Sequence, residues 1–459
     1  MIPERLIAGR PATLEQILAR RDARAAQQRE LLRSSGGESL VSFSMNIPGA
    51  CKRFALEAFG FQRGCGALRE AFGGCILSER SVSGVTGDEL LLLLALDPME
   101  AKKRTVALEQ THPLGRLWDM DVLDAQGNGI SRAALGVPPR SCLICGENAK
   151  ACGRSRRHAA EEVFARVCVL LAEEYRQRSA EVAADCAARA LRTEVSVTPK
   201  PGLVDRQNNG SHADMDYAMF LASADALTPW FRVFYETGWA NADAPVQRLF
   251  DRLRRDGLEA ERAMFAATGG VNTHKGLVFS MALVCGALGA SHAGAALPLT
   301  PDELMEKVRA LGACALDDLT GETQNTAGER CYAAYRIPGA RGQAAAGYPA
   351  VLSCALPTLD AWLARRAPLN DAAAAALVAL IAQVEDTNMI HRGGLELAQS
   401  SRKQAARVLA ALTQENLHRE LAALDRAYIQ KNLSPGGCAD LLALALLIHF
   451  LRERGILAL

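Results

Sequence analysis

Aromatic residues make up only 5% of this 459-residue chain, and its charges nearly cancel, with 52 Lys and Arg against 51 Asp and Glu. The first scarcity leaves no stacking platform for single-stranded nucleic acid. The second leaves no global field to hold a polyanion or an anionic membrane, so any grip on phosphate must be local. A Walker-type phosphate loop is also missing. The N-terminus, MIPERLIAGRPATLEQILARRDARAAQQRELL, has no apolar signal core and reads as a polar helix entered through Thr13. A cytoplasmic protein with neither nucleic acid nor membrane as partner is expected. Thirteen cysteines, an odd number without a secretion signal, fit reduced thiols rather than a disulfide framework. Residues 276 to 301 carry no Asp, Glu, Lys or Arg, but Ser280, Gly286, Gly289, Ser291, His292 and Gly294 interrupt them, which favours a buried helix over a membrane span.

What is present divides by texture. Up to about residue 150 the runs SLVSFSMNIPG, GGCILS, SGVTGDELLLLLALD and RLWDMDVLDAQGNGISR read as strands, the last closed by a Gly-Asn-Gly hairpin turn, between helices at 13–34 and 52–72. From His158 onward, long Ala- and Leu-rich helical segments follow, punctuated by TPKPG, TGG, LPTL and LSPGG. The expectation is an α+β domain over residues 1–176 and an all-α, multi-helix domain over 177–459, the boundary falling inside a helix of roughly 159–193. The sequence leaves self-association open.

Four polar clusters in the helical half share one format, charged and small residues just ahead of an apolar run. In TPKPGLVDRQNNGSHADMD, two prolines hold the chain extended around Lys200, and Asp205, Asp214 and Asp216 follow. Such carboxylate density suits magnesium shared with substrate phosphates; the plain alternative is Asp214 capping a helix that starts near Met215. In ATGGVNTHKG, Gly269 and Gly270 make a turn and His274 and Lys275 sit where a helix begins, a place where free N–H groups and the helix dipole favour anions. The others are EDTNMIHRGG, with Asp386, His391 and Arg392, and NLSPGGCADLLA, with Asp440; GARGQAAAGYP adds Arg341.

In the first half, Asp119 and Asp121 of HPLGRLWDMDV share one face of a strand, as two carboxylates holding Mg²⁺ would require, with His112 and Arg116 just upstream. Cys142, Cys145, Cys152 and His158 follow at spacings compatible with a structural Cys₃His zinc site; a reduced Cys-rich loop is the alternative.

The helical clusters, in this order across residues 185 to 450, closely resemble triphosphoribosyl-dephospho-CoA synthase. That resemblance implies an all-helical fold in which the 2′-hydroxyl of 3′-dephospho-CoA attacks C1′ of the ATP ribose, expelling adenine and keeping the triphosphate. Cations are then needed for phosphate and carboxylates for an oxocarbenium-like centre. Lys200, His274, Lys275 and Arg392 are the expected phosphate ligands, with Gly269 and Gly270 shaping the turn. Asp205, Asp214, Asp216 and Asp440 are expected to serve magnesium or the carbocation. The stretches RDARAAQQRELL, VSFSMNIPG, HPLGRLWDMDV, ISRAALGVPPRSCLICGE and ACGRSRRH, over about 13–160, resemble apo-citrate lyase phosphoribosyl-dephospho-CoA transferase, also called holo-citrate lyase synthase. This second likeness implies a nucleotidyltransferase-like mixed sheet and, with the spacing, metal-binding roles for Asp119 and Asp121; the position of Arg116 and His112 just upstream suits a pyrophosphate leaving group. The acceptor it implies is a serine of the citrate lyase acyl carrier protein, the gamma subunit. Together the resemblances imply a bifunctional transferase that builds and attaches one prosthetic group. Two other readings stand beside it: the same chemistry on the malonate decarboxylase carrier, and a first half that only docks the carrier through a zinc knuckle.

Overall fold

Leu90 to Leu94 are buried without a break, because they form a central strand covered on both faces. The computed structural model describes residues 2, 4–34, 38–294, 299–317 and 327–458, and in it the chain divides into two units, Met1–Arg178 and Ser179–Leu459. Unit 1 holds strands β1 (Ser39–Met45), β2 (Ile76–Gly84), β3 (Gly87–Leu94) and β4 (Trp118–Asp124), in the spatial order β2-β3-β1-β4. Its helices are α1 (Glu4–Ile7), α2 (Leu14–Ser34), α3 (Ala55–Phe72), α4 (Pro98–Thr111), α5 (Ala149–Ser155) and the first part of α6 (Ala160–Ser196).

The sheet differs from the mixed one expected: all three pairings are antiparallel. The helical crossovers explain why. Helix α3 links β1 to β2 and α4 links β3 to β4, and in each case another strand lies between the two strands joined. Strands joined by a helix therefore run the same way without being neighbours. The Gly-Asn-Gly segment does turn the chain, with Asp124 Oδ1 accepting the amides of Gln126 at 2.9 Å and Asn128 at 2.8 Å. Only an isolated Leu123–Gly129 bridge follows, so no hairpin strand forms. Thr13 caps α2 as expected: its Oγ1 accepts Gln16 N–H at 3.2 Å while Gln16 Oε1 accepts Thr13 N–H at 2.9 Å.

Unit 2 is helical almost throughout. It comprises the remainder of α6, then α7 (Tyr217–Ala240), α8 (Val246–Ala267), α9 (Lys275–Gly294), α10 (Pro301–Ala313), α11 (Ala327–Tyr335), α12 (Gly339–Ala345), α13 (Leu356–Ala364), α14 (Leu369–Gln383), α15 (Thr387–Ala410), α16 (Leu417–Gln430) and α17 (Gly436–Glu453). The uncharged run becomes α9, a helix long and apolar enough to cross a membrane but buried from Leu277 to Ala293 at all but one position, as a core helix is; residues 295–298 of that run lie outside the described residues. Backbone meets backbone where α7 crosses it. A Cβ on Gly238 would stand 1.9 Å from Gly286 O, and one on Gly289 would stand 1.9 Å from Tyr235 O. The Ala run at 372–376 is fully buried in α14, where small side chains let neighbouring helices approach.

Candidate functional sites, one in each unit

A cavity of about 1390 Å³ opens in unit 2 where four helices begin. Its wall carries Lys275 and Gly276 of α9, Gly339 to Gln343 of α12, Thr387 and Asn388 of α15, and Gly436, Gly437 and Asp440 of α17. Helix N-termini carry N–H groups without intrahelical partners and a positive dipole end, and four of them border the cavity. Two carboxylates hold this junction. Asp386 caps α15, its Oδ1 accepting Asn388 N–H at 2.8 Å and Met389 N–H at 3.1 Å, while its Oδ2 reaches across to Cys438 N–H of α17 at 2.9 Å. Asp440 lies against the first turn of α9, where a Cβ on Gly276 would sit 2.6 Å from its Oδ2. Burial, reinforced by the charges of Glu194 and Asp386, pushes the Asp440 carboxyl well above the usual carboxylate range and so favours its protonated form.

The loop from Val197 to Asp216 forms another wall. Lys200 is buried and its Nζ pairs with Glu194 Oε1 at 2.7 Å, both residues lining the cavity. Asp205 does not line it; this buried carboxylate accepts the amides of Lys200 (2.9 Å), Gln207 (2.7 Å) and Asn208 (3.0 Å) and so shapes the loop that carries Lys200. Arg392 holds the loop's far end, donating to Ser211 O at 2.7 Å and to His212 Nδ1 at 3.1 Å. Because a guanidinium only donates, His212 Nδ1 accepts, and the ring's proton on Nε2 is directed to Ser434 Oγ at 2.9 Å. Beside them, His274 Nδ1 is 2.7 Å from Ser223 Oγ, and burial lowers its pKa to about 3. His274 is therefore a neutral polar group rather than a phosphate-binding cation, and its buried Nε2 has no hydrogen-bond partner.

In unit 1 the strand register puts Asp119 beside Ser44 and Asp121 beside Ser42, on one face of the sheet. The polar helix α2 crosses that face: Arg24 Nη1 donates to Ser44 Oγ at 3.4 Å and Gln28 Nε2 to Ser42 Oγ at 3.0 Å, while Arg20 holds Glu89 through Nε at 2.9 Å. From the strand's open edge, α4 fixes the residue between the two aspartates. Glu109 Oε1 accepts Met120 N–H at 3.2 Å, and Lys102 Nζ donates to Met120 O at 3.0 Å. Buried Glu109 also binds Arg132 at 2.6 Å and Arg140, and Arg140 comes within 3.6 Å of Asp119. Crowding by protein atoms and then the charge of Asp119 raise the pKa of Asp121, although its side chain still reaches solvent. Like charges held on one face, with cations around them, fit a site for Mg²⁺ and phosphate.

The four ligand atoms of Cys142, Cys145, Cys152 and His158 all lie within 4.8 Å of one another. An antiparallel bridge between Ser141 and Asn148 forms the knuckle, α5 supplies Cys152, and His158 precedes α6. His158 Nε2 is buried with no hydrogen-bond partner, and its Nδ1 is 3.6 Å from Glu162 Oε2.

Residues 180–457 match the ATP:dephospho-CoA triphosphoribosyl transferase family, CitG, and residues 12–174 match the apo-citrate lyase phosphoribosyl-dephospho-CoA transferase family, CitX. A protein named CitXG from Haemophilus influenzae is 35% identical over 97% of both chains, and one from Leuconostoc mesenteroides is 32% identical over 96% of this chain and 97% of its own. A probable 2-(5''-triphosphoribosyl)-3'-dephosphocoenzyme-A synthase from Vibrio cholerae is 43% identical, matching 57% of this chain and 85% of its own length. The chain belongs to the CitXG family. Both of its parts belong to transferase families.

Within this CitXG chain the residues singled out from sequence fall into groups. Lys200, His274, Lys275, Arg392 and Asp440 line the unit 2 cavity together. Gly269 and Gly270 adopt positive φ, +62° and +90°, in the turn after α8, outside the lining. Asp214 and Asp216 are also outside it: Asp214 is exposed, 3.8 Å from His212, and it is Asp216, not Asp214, that caps α7, accepting Met219 N–H at 2.8 Å. The pair thus presents no joint metal site to the cavity. In unit 1, His112 stacks on Trp118 with ring centroids 4.2 Å apart and accepts Leu114 N–H; burial, then Arg63, lowers its pKa to about 4, so it carries no charge for pyrophosphate. Arg116 donates to Ser141 O of the knuckle. Sequence reasoning passed over Glu194, Arg254, Glu261 and Arg402 in the cavity wall and Lys102 and Glu109 beside the aspartate pair. All lie inside helices, away from the punctuated motifs.

Proposed function

We propose that unit 2 makes 2′-(5″-triphosphoribosyl)-3′-dephospho-CoA from ATP and 3′-dephospho-CoA, with release of adenine. Unit 1 then transfers the phosphoribosyl-dephospho-CoA group to a serine of the citrate lyase acyl carrier protein and releases pyrophosphate. The observation that carries this reading is the cavity of about 1390 Å³ at four helix starts, with Lys200, Lys275, Arg392 and Asp440 in its wall. It exceeds the roughly 300–1,000 Å³ of ordinary single-ligand sites, which suits two nucleotides at once. Helix starts and the three cations bind the triphosphate. Asp440 gives its proton to the departing adenine as the C1′–N bond breaks, and the 2′-hydroxyl that attacks C1′ returns its proton to the Asp440 carboxylate, so the charges balance. In unit 1, Asp119 and Asp121 would hold Mg²⁺, which when bound supplies charge neutralisation at the phosphates; Arg24, Arg132 and Arg140 orient the anion. The whole operates on soluble cytoplasmic substrates.

The test is incubation of the purified chain with ATP, 3′-dephospho-CoA, Mg²⁺ and apo carrier protein, reading adenine by chromatography and the carrier by mass spectrometry. Asp119→Asn should keep adenine release and abolish the mass increase, whereas Asp440→Asn should abolish adenine release yet still attach a pre-made precursor. Loss of both activities in either variant would overturn the divided labour. An adduct on the malonate decarboxylase carrier alone would reassign the acceptor, and adenine release without any adduct would leave unit 1 a docking module.

A further inference from the structure

From Leu123 to Ala151 no residue of unit 1 is buried, apolar or polar. Twenty-nine consecutive residues without one fully buried side chain have little core to order them, yet this stretch delivers Arg132 and Arg140 to the buried Glu109 and to Asp119. Segments too small to bury a core are commonly stapled by a metal instead. The one buried apolar side chain that resumes the pattern is Cys152 itself.

We propose that Cys142, Cys145, Cys152 and His158 hold one zinc ion, and that this ion is the staple that keeps Arg140 and Arg116 in place beside the β4 carboxylates. The geometry fits tetrahedral coordination. Zn–S bonds of about 2.3 Å put neighbouring sulfurs about 3.7 Å apart, and Cys145 Sγ lies 3.5 Å from Cys152 Sγ, well beyond the roughly 2.05 Å of a disulfide. Ile144 N–H points at Cys142 Sγ from 3.5 Å, the backbone-to-sulfur contact of a knuckle turn. His158 offers its Nε2, the atom left without a protein partner, while Glu162 faces its Nδ1, the carboxylate backing that metal-bound histidines receive. The coupling to the carboxylates runs through the main chain. Arg140 O accepts Ala149 N–H at 3.0 Å at the head of α5, Ser141 pairs with Asn148 beside it, and Ser141 O accepts the Arg116 guanidinium. Four bound ligands thus close a loop whose entry carries Arg140 and, through Ser141 O, holds Arg116.

The positioning half of this proposal rests on the transferase reading of unit 1; the metal half does not. Metal analysis of the purified full chain should find one zinc per chain, and cobalt exchanged into it should give the visible d–d bands of a tetrahedral thiolate site. Cys152→Ser should lose the metal and expose residues 123–151 to amide exchange, with attachment to the carrier falling at least tenfold and adenine release unchanged. Cys152→His, which keeps a four-ligand site, should retain the metal and restore attachment. Less than about a fifth of a zinc per chain, together with no cobalt bands, overturns the metal. Undiminished attachment by metal-free Cys152→Ser overturns the positioning role. A chain that binds zinc as stated but never attaches anything counts against the transferase reading and leaves the metal site standing.

Discussion

Lys200 Nζ lies 2.7 Å from Glu194 Oε1, and both side chains are closed off from bulk water while lining the unit 2 cavity. Removing one partner of such a pair strands the other charge in a poorly solvated place, at a cost of about 3–5 kcal/mol. Lys200→Met should therefore lower the unfolding midpoint of unit 2 and abolish adenine release. Adding Glu194→Leu should recover much of the stability and none of the activity. Denaturant unfolding of the single and double variants, beside the adenine assay, measures both; a single variant as stable as the parent would contradict the pairing.

Gly276 stands inside the first turn of α9, where alanine would ordinarily favour the helix by about 0.8–1.0 kcal/mol. The added methyl would instead meet Asp440 Oδ2 at 2.6 Å. Gly276→Ala is expected to slow adenine release at least tenfold while leaving attachment of a pre-made precursor intact. An unaltered rate would mean that Asp440 can move without consequence.

Glu57 has both carboxylate oxygens buried, and burial, then the charge of Asp88, raises its pKa from 4.5 to about 8. Between those values the unfolded chain has lost this proton and the folded chain keeps it, so the group subtracts stability as pH rises through the window. The slope is on the order of 1.4 kcal/mol for each pH unit. Glu57→Gln should accordingly raise the melting temperature little at pH 5, more at pH 7, and by a constant amount above about pH 8. Melting curves at three pH values check it, and a pH-independent gain would refute the assignment.

Features with a local cause could be read from the sequence. Thr13 and Gln16 form their capping box within four residues, Leu90–Leu94 shows its burial in its own composition, and Gly-rich turns mark where α9, α12 and α17 begin. What depended on distant partners could not be read. Glu109 looks like any helical glutamate until the fold sets it under Met120, Arg132 and Arg140, and Glu194 gains meaning only when the 197–216 loop returns Lys200 to it. The alternative of Asp214 as helix cap misses by two positions, because Asp214 and Asp216 both suit the role and only the backbone path decides. The antiparallel sheet escaped for a related reason, since strand order is a property of crossovers rather than of any one strand.

The glycine-mediated crossing of α7 and α9 also limits how this enzyme could change. Ser223 rides on α7 and His274 stands just before α9, so their partnership inherits a spacing set by main-chain atoms with no side chains between to trim or enlarge. A descendant that accepted a bulkier nucleotide would have to remodel the mouths of α12, α15 and α17, leaving this side of the chamber as its fixed gauge.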